Sequence, residues 1–516
     1  MKIEKYSRVT REDYEQWFRE NASLREKVGR DSLRLRYHLM PETGWLNDPN
    51  GLMEWNGTYH IYYQYDPFDA EGNLKLWNHC ATRDFVHYEN WGPVLFPDQD
   101  FDAHGVYSGS AFPEGGTAHF FYTGNVKCFD RPDYDYITAG RKSTTVRVDS
   151  PDGQHFSEKK VLLTPEDYPD DISCHVRDPK ILKYEGMYYM VLGARDLDDC
   201  GQVLLYRSED MERWEYFSRI RTREPFGYMW ECPDLFFLEG KLLLICCPQG
   251  VQKVDLEYEN VYQCVCMAVS GDLQTGELEV AEEAVYPSVD RGFDFYAPQT
   301  FEDETGRRIL IGWMGIPDAP YENPTAERGW QHALTLPREL HLRDGRLIQT
   351  PLEELKKLRR EEWKFSTAEE LALAGEKMGR REGPVFEAVL EFSSCSAMRL
   401  QLRQGTELIY ENGLLSLEIR DGGCGRTVRH GKTEELRDLR IFSDVSSLEI
   451  FVNGGEMVFS TRVYADCCPD GEAGEGYLHL QGDCRVKGSV YRLSEIIMEK
   501  RGDSGAESSE NMVVTK

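Results

Sequence analysis

The stretch DPNGLMEWNGTYHIYYQYDP, residues 48–67, sets the plan of the chain. It reads as a short strand, an Asn56-Gly57 turn and a second, aromatic-rich strand. Asn-Gly tolerates the positive φ that a two-residue hairpin turn demands. The same plan returns as SGSAFPEGGTAHFFYTGN from Ser108, DPKILKYEGMYYMVLGARD from Asp178, CPDLFFLEGKLLLICCPQG from Cys232 and APQTFEDETGRRILIGWMG from Ala297. The turns of these units fall at Gly115-Gly116, Glu185-Gly186, Glu239-Gly240 and Thr305-Gly306. The spacing leaves room for four strands per unit, and a radial array of five such sheets is a five-bladed β-propeller, predicted over residues 33–345.

Outward from the repeat, the chain reads as all-β with one helical addition. Residues 1–32 form an N-terminal helical extension, in which Thr10 and Asp13 make a capping box ahead of the apolar stripe Tyr14, Trp17 and Phe18. Residues 346–363, including TPLEELKKLRREEW, read as a charged linker with a short helix at most. Residues 364–499 alternate in strand fashion, as in MRLQLRQGTELIYENG and SLEIFVNGGEMVFSTRVY, and predict a C-terminal antiparallel β-sandwich. Residues 500–516 are polar and expected to be disordered.

Charge excludes several functions. Sixty basic residues stand against 90 acidic ones, a formal net charge of −30. Such a surface repels nucleic acid and anionic membrane, which are bound through Lys and Arg. The 14 cysteines show no zinc spacing, and Cys246-Cys247 and Cys467-Cys468 are adjacent. The start of the chain lacks an apolar signal region, so reduced thiols and a cytoplasmic location are expected. Oligomeric state is left open, with a homodimer among the options.

The repeat has a chemical consequence. Asp48, Asp178 and Glu231 stand at the openings of their units, so the array carries them to one mouth of the central channel. Cleaving a glycosidic bond needs one carboxyl to protonate the leaving oxygen and another to support the cationic centre. A third acid supplies the negative neighbour that keeps the donor protonated, and grips sugar hydroxyls. Three acids with flanking Trp and Asn fit this chemistry better than a metal site, which would usually add His.

At these residues a resemblance becomes specific. WLNDPNG at 45–51, VYSGSA at 106–111, RDPK at 177–180, WECPDLF at 230–236, DFYAPQTF at 294–301 and LPREL at 336–340 resemble the motif set of glycoside hydrolase family 32. EIFVNGG and STRVY, near the end of the chain, resemble it too. The family contains invertases, sucrose-6-phosphate hydrolases, levanases and inulinases. The resemblance implies a propeller with a sandwich, a retaining mechanism, and neither metal nor organic cofactor. It implies Asp48 as nucleophile, Glu231 as acid/base and Asp178 as the transition-state stabiliser. Arg177 and Cys232 would tune the acid, while Asn47, Gln64, Trp77, Ser108 and Trp313 would line the fructose pocket. The chain departs from the pattern at Ala70-Glu71-Gly72-Asn73, where many relatives carry Trp, and at Trp77-Asn78-His79, where Trp-Gly-His is usual.

YTGNVK at 122–127, GYMWECPDLF at 227–236 and CPQG at 247–250 look more like the intracellular sucrose and sucrose 6-phosphate branch. The expected partner is thus a small sugar. A phosphate would need a basic rim group, for which Lys127, Arg131 and Arg141 are candidates. Hydrolysis of short fructo-oligosaccharides, fructosyl transfer and inverting arabinan cleavage are rival activities. A non-catalytic sugar-binding protein is the rival from another class.

Overall fold

The computed structural model describes residues 8–464 and 477–500. The Cys467-Cys468 pair, the first seven residues and the tail after 500 lie outside the described residues. The capping box forms as read: Asp13 N donates to Thr10 Oγ1 (3.2 Å) and Thr10 N to Asp13 Oδ2 (2.9 Å). The helical region consists of two helices, Arg11–Glu20 and Ala22–Gly29, meeting at Asn21. Trp17 packs edge-on against Phe68, which pins the extension to the outside of the first sheet.

That sheet is an antiparallel meander. Gly44–Trp55 pairs with Thr58–Asp66, then Leu76–Thr82, then His87–Leu95. Four-stranded meanders of the same kind begin at Val106–Glu114, Ile172–Tyr184 and Met229–Leu238, and a further sheet begins at Tyr296–Glu302. The opening strand of each lies innermost. These strands contact one another in chain order, and Tyr296–Glu302 returns to contact Gly44–Trp55. The short strand Trp330–Gln331 also pairs in parallel with Gly44 and Trp45. The architecture is therefore an all-β propeller.

Close approach near the axis explains two glycines. A Cβ on Gly109 would sit 1.9 Å from the Phe121 carbonyl oxygen, and one on Gly193 2.1 Å from that of Trp230. Neither position has room for a side chain.

Each innermost strand carries a one-residue bulge at the same height. The register against the second strand slips between Leu46 and Pro49, Val106 and Gly109, Arg177 and Lys180, Glu231 and Asp234, and Tyr296 and Gln299. A bulge adds one residue against the partner strand and re-aims the side chains beside it. Arg177, Glu231 and Tyr296 thus share the position before the bulge. Asn47, Asp178, Cys232 and Ala297 take its first residue, and Asp48 and Ser108 its second. The three acids therefore do not share one phase, as the repeat suggested: Glu231, Asp178 and Asp48 take three successive positions at their bulges.

The segment read as a linker is structured. Arg346–Pro351 pairs with Arg338–Arg343 in the last propeller sheet, Glu353–Leu358 makes a 3-10 turn, and Arg359–Phe365 pairs with His479–Leu493. Nine strands, Arg359–Phe365 among them, form one sandwich-like antiparallel sheet. Its long strand Phe386–Arg403 pairs with Thr406–Glu411, Asp438–Asp444 and His479–Leu493. One sequence expectation is corrected here: residues 368–382 form a helix, Ala368–Glu382, and not a strand. Thr367 caps it by accepting from Glu370 N, and Leu371, Ala374 and Met378 turn into the core of the sheet. Apolar spacing of three and four residues outweighs the surrounding alternation.

A buried ionic network fastens this sheet to the propeller. Arg338 of LPREL bonds Asp290 (3.0 Å) and Glu449 of EIFVNGG (2.8 Å). His38 bridges Glu449 (3.0 Å) and Asp444 (2.7 Å). Buried charges persist only when paired, and here each has its counterion.

Candidate active site

The bulges bring the sequence-selected acids to one mouth of the propeller. Asp48 accepts hydrogen bonds from Ser108 Oγ and from Asn47 Nδ2 (3.0 Å), and Cys232 Sγ lies 3.7 Å from it. Asn47 also bonds Gln64, and Gln64 Nε2 donates to Ser108 Oγ (2.8 Å). Three neighbouring polar groups therefore orient the Asp48 carboxyl. Asn50 fixes its backbone, donating to Asp48 O (3.1 Å) and accepting from Gly109 N (3.0 Å).

Asp178 and Cys232 both adopt positive φ, 64° and 48°, although each precedes a proline. Held strain of this kind concentrates at functional sites. It lets Cys232 N donate to Asp178 Oδ2 (2.8 Å), while Asp178 N donates to Thr123 Oγ1 (2.9 Å).

Glu231 is surrounded by donors. Arg177 approaches Oε1 at 3.1 Å, and Oε2 accepts from Tyr296 Oη (2.7 Å) and Gln249 Nε2 (2.8 Å). Gln249 belongs to the quoted CPQG, but neither it nor Tyr296 was singled out from sequence. The signal for Tyr296 was present, because it precedes its bulge as Arg177 and Glu231 precede theirs.

Electrostatics follow from burial. Burial pushes the Asp48 carboxyl above its ordinary range, against the hydrogen bonds of Ser108 and Asn47. Asp178 is pushed up to about 7 by burial, opposed by Arg177 and reinforced by the charges of Glu231 and Asp48. Asp178 is therefore partly protonated near neutral pH.

One pocket expectation is corrected. Trp77 is 0% exposed and packs between Tyr62 and Tyr122, donating through Nε1 to Tyr107 O (3.2 Å). It has no surface to offer a sugar and instead braces the first two sheets. Trp313, 3% exposed, stands against Trp45, Tyr296 and His332 as the backing of the site. The Ala70–Asn73 loop lies close to Trp45, and a Cβ on Gly72 would meet that ring at 2.6 Å. Among the described residues, no group of three or more His, Cys, Asp or Glu is placed to hold a metal ion. No helix among them is long and apolar enough to cross a membrane.

Residues 38–351 match the glycosyl hydrolases family 32 N-terminal domain, and residues 354–483 the family 32 C-terminal domain. The chain is 38% identical over 446 residues to the sucrose-6-phosphate hydrolase of Bacillus subtilis (strain 168), covering 84% of this chain and 89% of that one. It is 36% identical over 442 residues to a raffinose invertase of Escherichia coli, covering 83% and 89%. Among solved structures, the sucrose-6-phosphate hydrolase of Lactobacillus gasseri superposes with a TM-score of 0.82 at 28% identity, covering 95% of this chain and 100% of that one. A β-fructofuranosidase of Bombyx mori gives 0.75 at 28% identity over the same shares. A propeller mouth lined by three carboxyl groups, with both family domains in order along the chain, makes this protein a member of glycoside hydrolase family 32.

Proposed function

We propose that the protein is a retaining β-fructofuranosidase that hydrolyses sucrose 6-phosphate and sucrose. The observation that carries this reading is the convergence of Asp48, Asp178 and Glu231 in one hydrogen-bonded cluster with Ser108, Cys232 and Arg177. The substrate class rests on the relatives, several of which are sucrose-6-phosphate hydrolases.

In the first step Asp48 attacks the anomeric carbon of the fructosyl unit while Glu231 gives its proton to the glycosidic oxygen. The leaving hexose departs, and a fructosyl ester remains on Asp48. In the second step Glu231 takes a proton from water, the water oxygen attacks the same carbon, and the ester bond to Asp48 breaks. Ser108 and Asn47 hold Asp48 in line and favour its ionised form. Asp178 accepts hydrogen bonds from fructose hydroxyls, which strengthen as the centre becomes cationic. Arg177, Tyr296 and Gln249 hold the Glu231 carboxyl through both proton transfers.

The same reading takes the propeller as five-bladed, supported by the cyclic contacts of the opening strands. It takes the C-terminal sheet as two sandwich layers joined through Phe386–Arg403. The propeller domain then runs from 33 through the strand Arg346–Pro351, and the sandwich domain from Arg359–Phe365 through His479–Leu493. A phosphorylated disaccharide does not cross a bilayer unaided, so this substrate places the enzyme in the cytoplasm. The test is fructose release from both sugars by wild type, Asp48→Ala and Glu231→Ala. Release that both substitutions abolish supports the proposal; wild type no faster than the variants defeats it.

A further inference from the structure

Arg141 opens the strand Arg141–Ser150 and is 3% exposed. None of its three guanidinium nitrogens has a hydrogen-bond partner among the described residues. Other buried arginines in this fold are held: Arg338 by Asp290 and Glu449, Arg426 by Asp294, Arg403 by Ser443 and by backbone carbonyls. Burying five N–H donors and a charge without acceptors is costly, so such a group calls for an explanation in function. What lies against it is aromatic. The Tyr136 ring centre is 3.9 Å from the guanidinium carbon and that of Tyr107 5.9 Å.

The location is informative. Burial and the neighbouring Arg177 charge push Arg141 down to about 10, while Tyr107 and Glu231 pull the other way. Geometry links the two guanidinium groups through Tyr136, whose ring lies on Arg141 and whose carbonyl meets the His175 that Arg177 bonds. Arg177 joins them to the loop above: it bonds Glu231, and its Nη2 donates to His175 Nδ1 (2.9 Å). Burial and the two arginines keep His175 neutral, so its Nε2 donates to Tyr136 O (3.0 Å). The loop 128–140 thus reaches the acid/base through three contacts. It presents Phe129, Tyr134 and Tyr136 at 52%, 37% and 43% exposure, with Phe129 and Tyr134 5.5 Å apart.

We propose that Arg141 is the phosphate-recognising group of the leaving-group subsite, and that the aromatic loop 128–140 is the wall against which the departing hexose stacks. This rests on the function proposed above. Glu231 protonates the leaving oxygen, so the leaving hexose lies beside it, on the side where Arg177 and Arg141 stand. A phosphate there meets a guanidinium fork with every donor uncommitted, the arrangement best matched to its oxygens. Tyr136 covers that fork with one partly exposed side chain on a loop, and shifting the ring opens it. Of the other two basic candidates, Arg131 is exposed and paired with Asp133 at 2.7 Å. Lys127 stands at the end of its strand, where its backbone N bonds His104.

The test is the ratio of kcat/KM on sucrose 6-phosphate to that on sucrose, for wild type, Arg141→Gln and Arg141→Lys. Losing a charge-assisted pair should lower the ratio roughly 30-fold, about 2 kcal/mol, in Arg141→Gln. Arg141→Lys should fall between that variant and wild type. A ratio within about two-fold of wild type in both variants overturns the proposal. If Arg141→Gln fails to melt cooperatively, Arg141→Lys decides by the same ratio. Calorimetric titration with glucose 6-phosphate and with glucose separates this inference from the functional reading. Wild type that cleaves neither sugar yet binds glucose 6-phosphate through Arg141 would defeat the reading alone. Equal binding of both ligands by wild type and Arg141→Gln would defeat the inference alone.

Discussion

Asp178→Asn should make the protein more stable while removing most of its activity. Burial first, then the charges of Glu231 and Asp48, hold the folded carboxyl at about 7 against an ordinary value of 3.8, even with Arg177 opposing them. At about 1.4 kcal/mol per unit, ionising it inside the fold costs on the order of 4 kcal/mol. That penalty is absent below the unfolded value, grows as pH rises towards about 7, and stays constant above. Asn carries no charge, fits the left-handed backbone at this position (φ 64°), and its Oδ1 can still accept from Cys232 N. If relaxation halves the penalty, about 2 kcal/mol remains, which for 516 residues raises the melting temperature by roughly 2 °C at pH 8. Near pH 4 the gain should vanish. Calorimetric melts of both proteins across this range read the effect, and fructose release should fall by about 100-fold or more as charge-assisted bonds to the sugar weaken. A variant no more stable than wild type at pH 8, or a difference that ignores pH, would refute the reasoning.

Ser108→Ala removes a donor to Asp48, so the Asp48 carboxyl should rise further and the acid limb of kcat/KM should move to higher pH; an unmoved limb would deny Ser108 that role. His38 is lifted to about 9 because its bonds to Asp444 and Glu449 outweigh burial. Its contribution is full below about 6.5 and is lost as pH passes 9, so His38→Gln should destabilise by about 3 kcal/mol at pH 6 and by much less at pH 10. Chemical denaturation at both pH values checks this. Gly109→Ala should fail to give soluble enzyme, because its Cβ would collide with the Phe121 carbonyl; a normal yield with a normal melting curve would contradict that packing.

The acids were legible because hairpin repeats fix which residues reach the channel mouth. Their exact phase was not, since nothing local marks where a ladder slips by one residue. Adding the residue before each bulge to the repeat would have exposed Tyr296, which bonds Glu231 as Arg177 does. Trp77 misled because a motif gives position along the strand, whereas the pleat and Tyr62 and Tyr122 decide which side of the sheet is filled. The helix at 368–382 left a local signature, Thr367 with Glu370 ahead of Leu371, Ala374 and Met378, that strands on either side obscured. The His38 network joins residues 406 and 411 positions apart, and no local pattern carries such pairing. Arg141 could be named from its place after the second hairpin, but its lack of partners is a property of the fold alone.

The central claim is that Asp48 carries the fructosyl group between two displacements. Incubating Glu231→Gln with a fructoside bearing a good leaving group, such as 4-nitrophenol, slows the second step without needing acid help in the first. Peptide mass spectrometry should then find a hexosyl adduct on the peptide containing Asp48, and none in Asp48→Asn. Turnover without any adduct, or an adduct on another peptide, would contradict the account.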